Sequence, residues 1–334
     1  MKPAILALAL SLLLAGCGTK SSLQTVRIAN PGPGLVPWCL PVALAHSLGY
    51  YQEAGLAVEL ESLPSAGKAL QALVGGSVDV AAISYIQNIQ MATEGQPVRS
   101  FFIMDQRDGK VIIVAPSAHS RIQRLEDMKG ALLGVSSPGS TTHRFANYLL
   151  AAHGVPISEF RTLGIGMGAT AVAAVENGRV DAASLSGGEH FYLLKRHPNL
   201  RILLDGATEA GMRESYGGDL FATGAVSAKQ EWLNRNPETA RRLAHALLRT
   251  LQWIASHKPE EILARLPDSF RSPDPTIDLE IIRWGQAAYT ADGKMPKGAP
   301  EVMRRYLDAT VENVRQSKID LATTWTNESL PNPK

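Results

Sequence analysis

The chain has 334 residues, 45% of them hydrophobic, and sets 33 Lys and Arg against 31 Asp and Glu. Near-neutral charge with scattered basic residues gives no sign of a nucleic-acid-binding surface. The length is enough for two lobes, each with its own core.

In chain order, Lys2 gives a positive start and 4–14 is an apolar run broken only by Ser11. A permanent membrane helix needs about 20 apolar residues, so this shorter run reads as the h-region of a secretory signal. Leu14-Ala15-Gly16-Cys17 resembles the lipobox of bacterial lipoproteins. The resemblance implies a signal peptide over 1–16, a diacylated Cys17 as the mature N-terminus and a tether over 17–25. The protein would then cross the inner membrane and stay lipid-anchored to a bacterial membrane, facing periplasm or exterior. No later stretch is a transmembrane candidate, because polar residues interrupt each one. With Cys17 committed to lipid, Cys39 has no partner for an internal disulfide.

From there short β-rich runs alternate with helix-length amphipathic ones. Strands are predicted over 26–29, 57–60, 78–83, 100–104 and 111–115, with helices over 40–48, 68–74 and 86–93. A second set places strands over 132–136, 161–165, 180–184 and 201–204, and helices over 141–153, 169–176 and 189–196. This spacing implies βαβ units and mostly parallel sheets. The last third is helical, with helices predicted over 237–257, 259–266, 277–289 and 300–316. One internal echo stands out: 70–82 lies over 172–184 without a gap. Each copy is a helix, a C-cap glycine (Gly76, Gly178), one residue, then Val-Asp opening a strand. Two similarly built lobes explain the echo; chance recurrence in any α/β chain is the alternative.

Several segments carry a family resemblance. They are Gly49-Tyr50-Tyr51-Gln52-Glu53-Ala54-Gly55-Leu56, Leu125-Glu126-Asp127-Met128-Lys129-Gly130, Leu133 to His143, Gly164 to Ala174 and the two Gly-x-Val-Asp strands. In this order they resemble the nitrate/sulfonate/taurine-type periplasmic binding proteins of ATP-binding-cassette importers, over about 26–226. The resemblance implies an α/β clamshell (type II) with two hinge crossovers, near Val114-Ala115 and over 221–226, and a helical C-terminal extension on lobe one. Lobe one would comprise 26–114 and 222–334, and lobe two 115–221. It further implies a monomer, no cofactor, no catalysis, a small anionic organic ligand, and a permease with its ATPase subunit as partners.

In parallel α/β sheets ligands sit beyond the strands' carboxyl ends, where helix starts present unpaired N–H groups and partial positive charge. The leading candidate is 137–143, where Gly139 permits close approach and Ser140, Thr141 and Thr142 add hydroxyls. A plain helix cap is the alternative. Ser65 with Gly67, and Gly168 with Ala169, are further candidate junctions, or else caps with no ligand role, and Ser84 and Tyr85 follow the first Val-Asp strand. Many relatives carry Asp-Pro near Gly187-Gly188; this chain does not, which removes a carboxylate suited to an ammonium group. Glu189 is the candidate substitute, an exposed first-turn glutamate the other reading. Trp38, in the Pro- and Gly-rich loop 30–40, offers a flat apolar wall, with ordinary core packing as the alternative.

Three rival readings remain. A few proteins of this fold are enzymes, chorismate dehydratase and the yeast-type pyrimidine synthase among them, but Cys39 stands alone and His143 is the one histidine in a candidate site. A metal-capturing binder would need clustered ligands, and the eight histidines are dispersed. A solute-sensing lipoprotein has the same sequence features as a transporting one.

Overall fold

The computed structural model describes residues 23–31, 36–63, 65–186, 188–218 and 220–331. The expected signal peptide and Cys17 lie outside these residues, as do Gly32, Pro33, Gly34 and Gly187. The strands are β1 (Gln24–Pro31), β2 (Leu56–Leu63), β3 (Val80–Ser84), β4 (Val98–Ile103), β5 (Val111–Val114), β6 (Leu132–Val135), β7 (Arg161–Gly164), β8 (Ala182–Leu185), β9 (Arg201–Asp205) and β10 (Gly224–Lys229). The first eight helices are α1 (Leu40–Ser47), α2 (Tyr50–Glu53), α3 (Ala66–Gly75), α4 (Tyr85–Thr93), α5 (Thr141–Ala152), α6 (Ala169–Glu176), α7 (Glu189–Arg196) and α8 (Glu209–Tyr216). The C-terminal ones are α9 (Gln230–Arg235), α10 (Pro237–Ser256), α11 (Pro259–Arg265), α12 (Pro275–Gln286), α13 (Ala299–Thr310) and α14 (Glu312–Arg315).

These strands make two five-stranded sheets, ordered β2-β1-β3-β10-β4 and β7-β6-β8-β5-β9. The two orders are the same pattern. Three parallel strands carry an antiparallel fourth, β10 in one sheet and β5 in the other, and a fifth pairs on the fourth's outer side. In each sheet the antiparallel strand is the one that has just arrived from the other lobe.

The echo has a matching physical cause. Asp79 Oδ2 accepts the Arg27 N–H of β1 at 2.9 Å, and its carboxylate also pairs with the Arg27 guanidinium. Asp181 Oδ2 accepts the Leu132 N–H of β6 at 2.8 Å and pairs with Arg121 at 2.6 Å. Both aspartates thus bind a backbone donor just before the parallel ladder with β3 or β8 begins. Gly76 (φ 80°) and Gly178 (φ 63°) end the preceding turns in the left-handed region that favours glycine.

Three expectations need correction. β5 is wholly buried between β8 and β9, so it belongs to lobe two, and the first crossover runs over 104–110 rather than near Val114-Ala115. A continuous apolar run such as Val111–Val114 does not announce which sheet it joins. β10 went unpredicted because Gly-Ala-Val-Ser-Ala-Lys has weak β propensity and, buried on both faces, no alternation. The helix expected over 300–316 breaks at Val311, which is extended (φ −137°, ψ 107°); its side chain packs on the core that also holds Leu307 and Val314.

The C-terminal extension packs on lobe one through α10, whose apolar face (Leu243, Leu247, Leu251) shares a core with Val26, Ile28 and Phe101. It also reaches further. α12 meets α7 of lobe two, and α13 meets both α4 and α5. A single core accordingly joins Ile86 and Ile89 of α4, Phe145 and Leu149 of α5, and Met303 and Leu307 of α13.

Candidate functional site

Between the lobes lies a cleft of about 490 Å³. Lobe one contributes Trp38, the α3 start (Ser65, Ala66, Gly67), Ser84, and Gln87 and Gln90 of α4. Facing them are Ser136, Ser137, Ser140, Thr141 and Arg144 around the α5 start, with Met167 and Ser186. The first crossover supplies Asp105 and Arg107 to Lys110, and the extension closes the side with Trp284, Gly285, Ala288 and Tyr289.

Among the residues singled out from sequence, Trp38, Ser65, Gly67, Ser84, Ser140 and Thr141 therefore share one wall-to-wall space. The other six sit elsewhere. Tyr85 is buried with its hydroxyl 2.5 Å from Thr324 Oγ1. Gly139 (φ 79°) gives its N–H to His143 Nδ1 at 2.8 Å. Thr142 is buried, its Oγ1 accepting the Ser136 N–H at 3.0 Å. Gly168 and Ala169 are exposed at the α6 start but outside the cleft wall, to which their neighbour Met167 contributes instead. Glu189 is not an exposed first-turn residue: it is buried, and its Oε1 accepts the Gly168 N–H at 3.1 Å. The helix start beside it draws the carboxylate inward as a cap.

At α5 the hydroxyls divide their labour. Ser140 is the N-cap, accepting the His143 N–H at 3.3 Å, and its Oγ lies 2.9 Å from Thr142 Oγ1. Thr141 has no such internal bond, so its hydroxyl and the first amides of the helix are what the α5 start offers the cleft. Because His143 Nδ1 accepts from Gly139, the ring proton belongs on Nε2, and burial lowers the imidazole's pKa further. The basic nitrogen is thereby spent inside the protein.

Charge decides what the cleft can hold. Lys110 Nζ lies 2.6 and 2.9 Å from the two carboxylate oxygens of Asp108, which also accepts from the Tyr216 hydroxyl. Arg107 pairs with Glu209 at 3.0 Å and bonds the Ala207 carbonyl at 3.3 Å. Arg144 is different: its Nε has no acceptor, and among the described residues no carboxylate forms an ion pair with it. Asp105 is buried, and burial raises its pKa to about 8, so near neutrality it carries a proton and no charge. At pH 7 the uncompensated charge in the cleft is the Arg144 cation, one turn into the helix whose start faces the same space.

Sequence reasoning passed over Arg144 and Asp105. Arg144 stands four residues after the cap Ser140, the spacing of one helix turn. For Asp105 the signal was the charged hexapeptide Asp105-Gln106-Arg107-Asp108-Gly109-Lys110 between two apolar strand runs with no helix between them. Among the described residues no group of three or more His, Cys, Asp or Glu is placed to hold a metal ion. None of the described helices is long and apolar enough to cross a membrane.

Two α/β lobes, two crossovers and a cleft between them define the class of periplasmic-type binding proteins. Solved structures share the whole arrangement. A Bordetella bronchiseptica protein is 29% identical, covering 91% of this chain and 95% of its own, with a TM-score of 0.79. The periplasmic aliphatic sulphonate binding protein of Escherichia coli is 18% identical, covering 92% and 99%, with a TM-score of 0.72. The periplasmic nitrate-binding protein of Synechocystis PCC 6803 is 16% identical, covering 92% and 87%, with a TM-score of 0.67. The NMT1/THI5-like family pattern matches residues 37–262, more than half of the chain, and the chain belongs to that family.

Proposed function

We propose that this chain is the solute-binding lipoprotein of an ATP-binding-cassette importer. It would hold a small anionic organic solute, sulfonate- or carboxylate-like, between its lobes and deliver it to the permease. The observation that carries the reading is Arg144, a cation without an ion-pair partner beside the α5 start, in a cleft where the described residues hold no other uncompensated charge at pH 7. Helix-start amides and a guanidinium together suit an oxyanion, because both present N–H donors without a counter-charge to displace. The aliphatic-sulphonate and nitrate binders that share the fold support the same ligand class. Nothing about His143 favours an enzyme, since its basic nitrogen is occupied.

The test is calorimetric titration with a panel of alkane- and arenesulfonates and the matching carboxylates. Arg144→Ala removes a charge-assisted donor worth about 1.5–3 kcal/mol, so affinity should fall roughly 10- to 150-fold. The melting temperature should hold, since no partner inside the protein is lost. Unchanged affinity in Arg144→Ala would remove the basis of the reading.

The anchor belongs to the same proposal. The Leu-Ala-Gly-Cys tetrad at 14–17 supports lipidation of Cys17, and with it residence outside the cytoplasm at a bacterial membrane. Cys17→Ser is expected to move the protein from the membrane pellet to the soluble fraction. Equal membrane retention of variant and parent contradicts the anchor.

A further inference from the structure

The cleft wall away from α5 holds a second polar group that an anion does not explain. Asp105 sits in the first crossover, 3% exposed, and lines the cleft. Its Oδ1 accepts the Gly224 N–H, from the second crossover, at 2.8 Å. Among the described residues no side-chain donor reaches either oxygen, and the nearby cation Lys110 is engaged by Asp108. Two aromatic residues, Trp38 and Tyr289, line the same cleft. Trp38 and Asp105 Oδ2 flank the same glycine: a side chain at Gly224 would meet Oδ2 at 3.0 Å and Trp38 Cβ at 3.4 Å. Tyr289 pairs with Asp105 through an isolated antiparallel bridge, and its hydroxyl donates to the Pro37 carbonyl at 2.6 Å. The phenol's proton is thus engaged by a backbone carbonyl, and the Asp105 carboxyl has no counter-charge of its own.

A buried carboxyl without a cation is costly when ionised, and aromatic residues in the same cleft favour positive charge. We propose that Asp105, with Trp38 and Tyr289, is an ammonium subsite, so that the solute carries a cationic amine for the crossover and an oxyanion for Arg144. The chain's missing carboxylate near Gly187-Gly188 is then replaced from another element, and not by Glu189, which is turned onto the Gly168 amide. This inference rests on the anion reading of Arg144.

The proton on Asp105 gives the subsite its own signature. The titratable groups facing Asp105 are Cys39, ahead of α1; Tyr289, after α12; and Asp108 and Lys110 in its own crossover. Burial pushes the Cys39 thiol and the Tyr289 phenol far up, so both stay neutral, and Asp108 is matched by Lys110. An ammonium arriving below pH 8 therefore displaces the Asp105 proton, one proton leaving for each amine bound. Affinity for an amine-bearing solute rises by about tenfold per pH unit towards pH 8, then levels.

Calorimetric titration of the full chain with para-(aminomethyl)benzenesulfonate and para-toluenesulfonate tests this, because the two share ring and sulfonate and differ in the amine. At pH 8 the amine compound should bind at least about tenfold tighter, and Asp105→Asn, which keeps the acceptor for Gly224, should erase that preference. Wild-type titrations in two buffers of different ionisation enthalpy supply a readout independent of the variant: about one proton released per amine compound bound at pH 7, none with toluenesulfonate. Equal binding of the two compounds, a preference that survives Asp105→Asn, or no proton release overturns the ammonium subsite. If Arg144→Ala still weakens both compounds in that case, the anion site stands alone. If neither compound binds, or Arg144→Ala changes nothing, both readings fall together.

Discussion

Replacing Lys110 by methionine is expected to destabilise the protein by about 3–5 kcal/mol, the usual cost of leaving one member of a buried ion pair alone. Lys110 and Asp108 side chains are 10% and 2% exposed, with Nζ to Oδ1 at 2.6 Å. The Tyr216 hydroxyl donates to the same carboxylate, and Nζ lies 5.6 Å from the Phe145 ring centre. Methionine would keep the apolar stem and remove the charge, so the loss reports the orphaned carboxylate rather than a cavity. Asp108→Asn added to Lys110→Met should recover most of the deficit, because the amide no longer needs a counter-ion. Urea unfolding of the parent and the two variants measures both steps. A double variant no more stable than Lys110→Met would show that packing against Phe145, not charge, is what lysine contributes.

The second large effect is a slope in stability against pH. Asp105 has a folded-state pKa raised to about 8 by burial, against an ordinary aspartate value near 4 in the unfolded chain. Between those values the folded state holds a proton that the unfolded chain has lost. Stability therefore falls as pH rises through that window, by at most about 1.4 kcal/mol per pH unit, and levels above pH 8. Asp105→Asn removes the titration and keeps the bond to Gly224. The variant should match the parent near pH 4 and exceed it by on the order of a few kcal/mol at pH 8. Melting curves of both proteins across this range check the sign as well as the size. Parallel curves would mean that water reaches the carboxyl and keeps its pKa low.

Much of the architecture could be read in advance, because the apolar runs are short, separated by Gly, Pro and polar breaks, and alternate in length between strand and helix. The duplicated helix–Gly–Val-Asp unit was legible for a stronger reason, since the same backbone junction is built twice with the same aspartate. What escaped depends on partners remote in sequence. Gly224–Lys229 becomes a strand only because β3 and β4 offer a slot between them. Val111–Val114 looks like a continuation of lobe one until its partners β8 and β9 are known. The same division runs through the site. Ser140 and Thr141 announce a helix start locally, whereas Arg144 matters because no carboxylate approaches it, and Asp105 because the crossover is buried. Absence of a partner and depth of burial are properties of the folded chain alone.

The exchange of the antiparallel strands also orders the assembly of the two lobes. All five strands of the second sheet, β5 to β9, are contiguous in the chain and are complete by Asp205. The first sheet, though it starts earlier, has β4 paired to nothing but β10 among its strands, and β10 begins at Gly224. A chain emerging from its N-terminus can thus close the later lobe before the earlier one. Until Gly224–Lys229 arrives, β3 and β4 present unpaired edges and the apolar faces of Phe101 and Phe102 lack their cover. Under the export proposed above, N-terminus first and unfolded, the lobe translocated first is the one that waits.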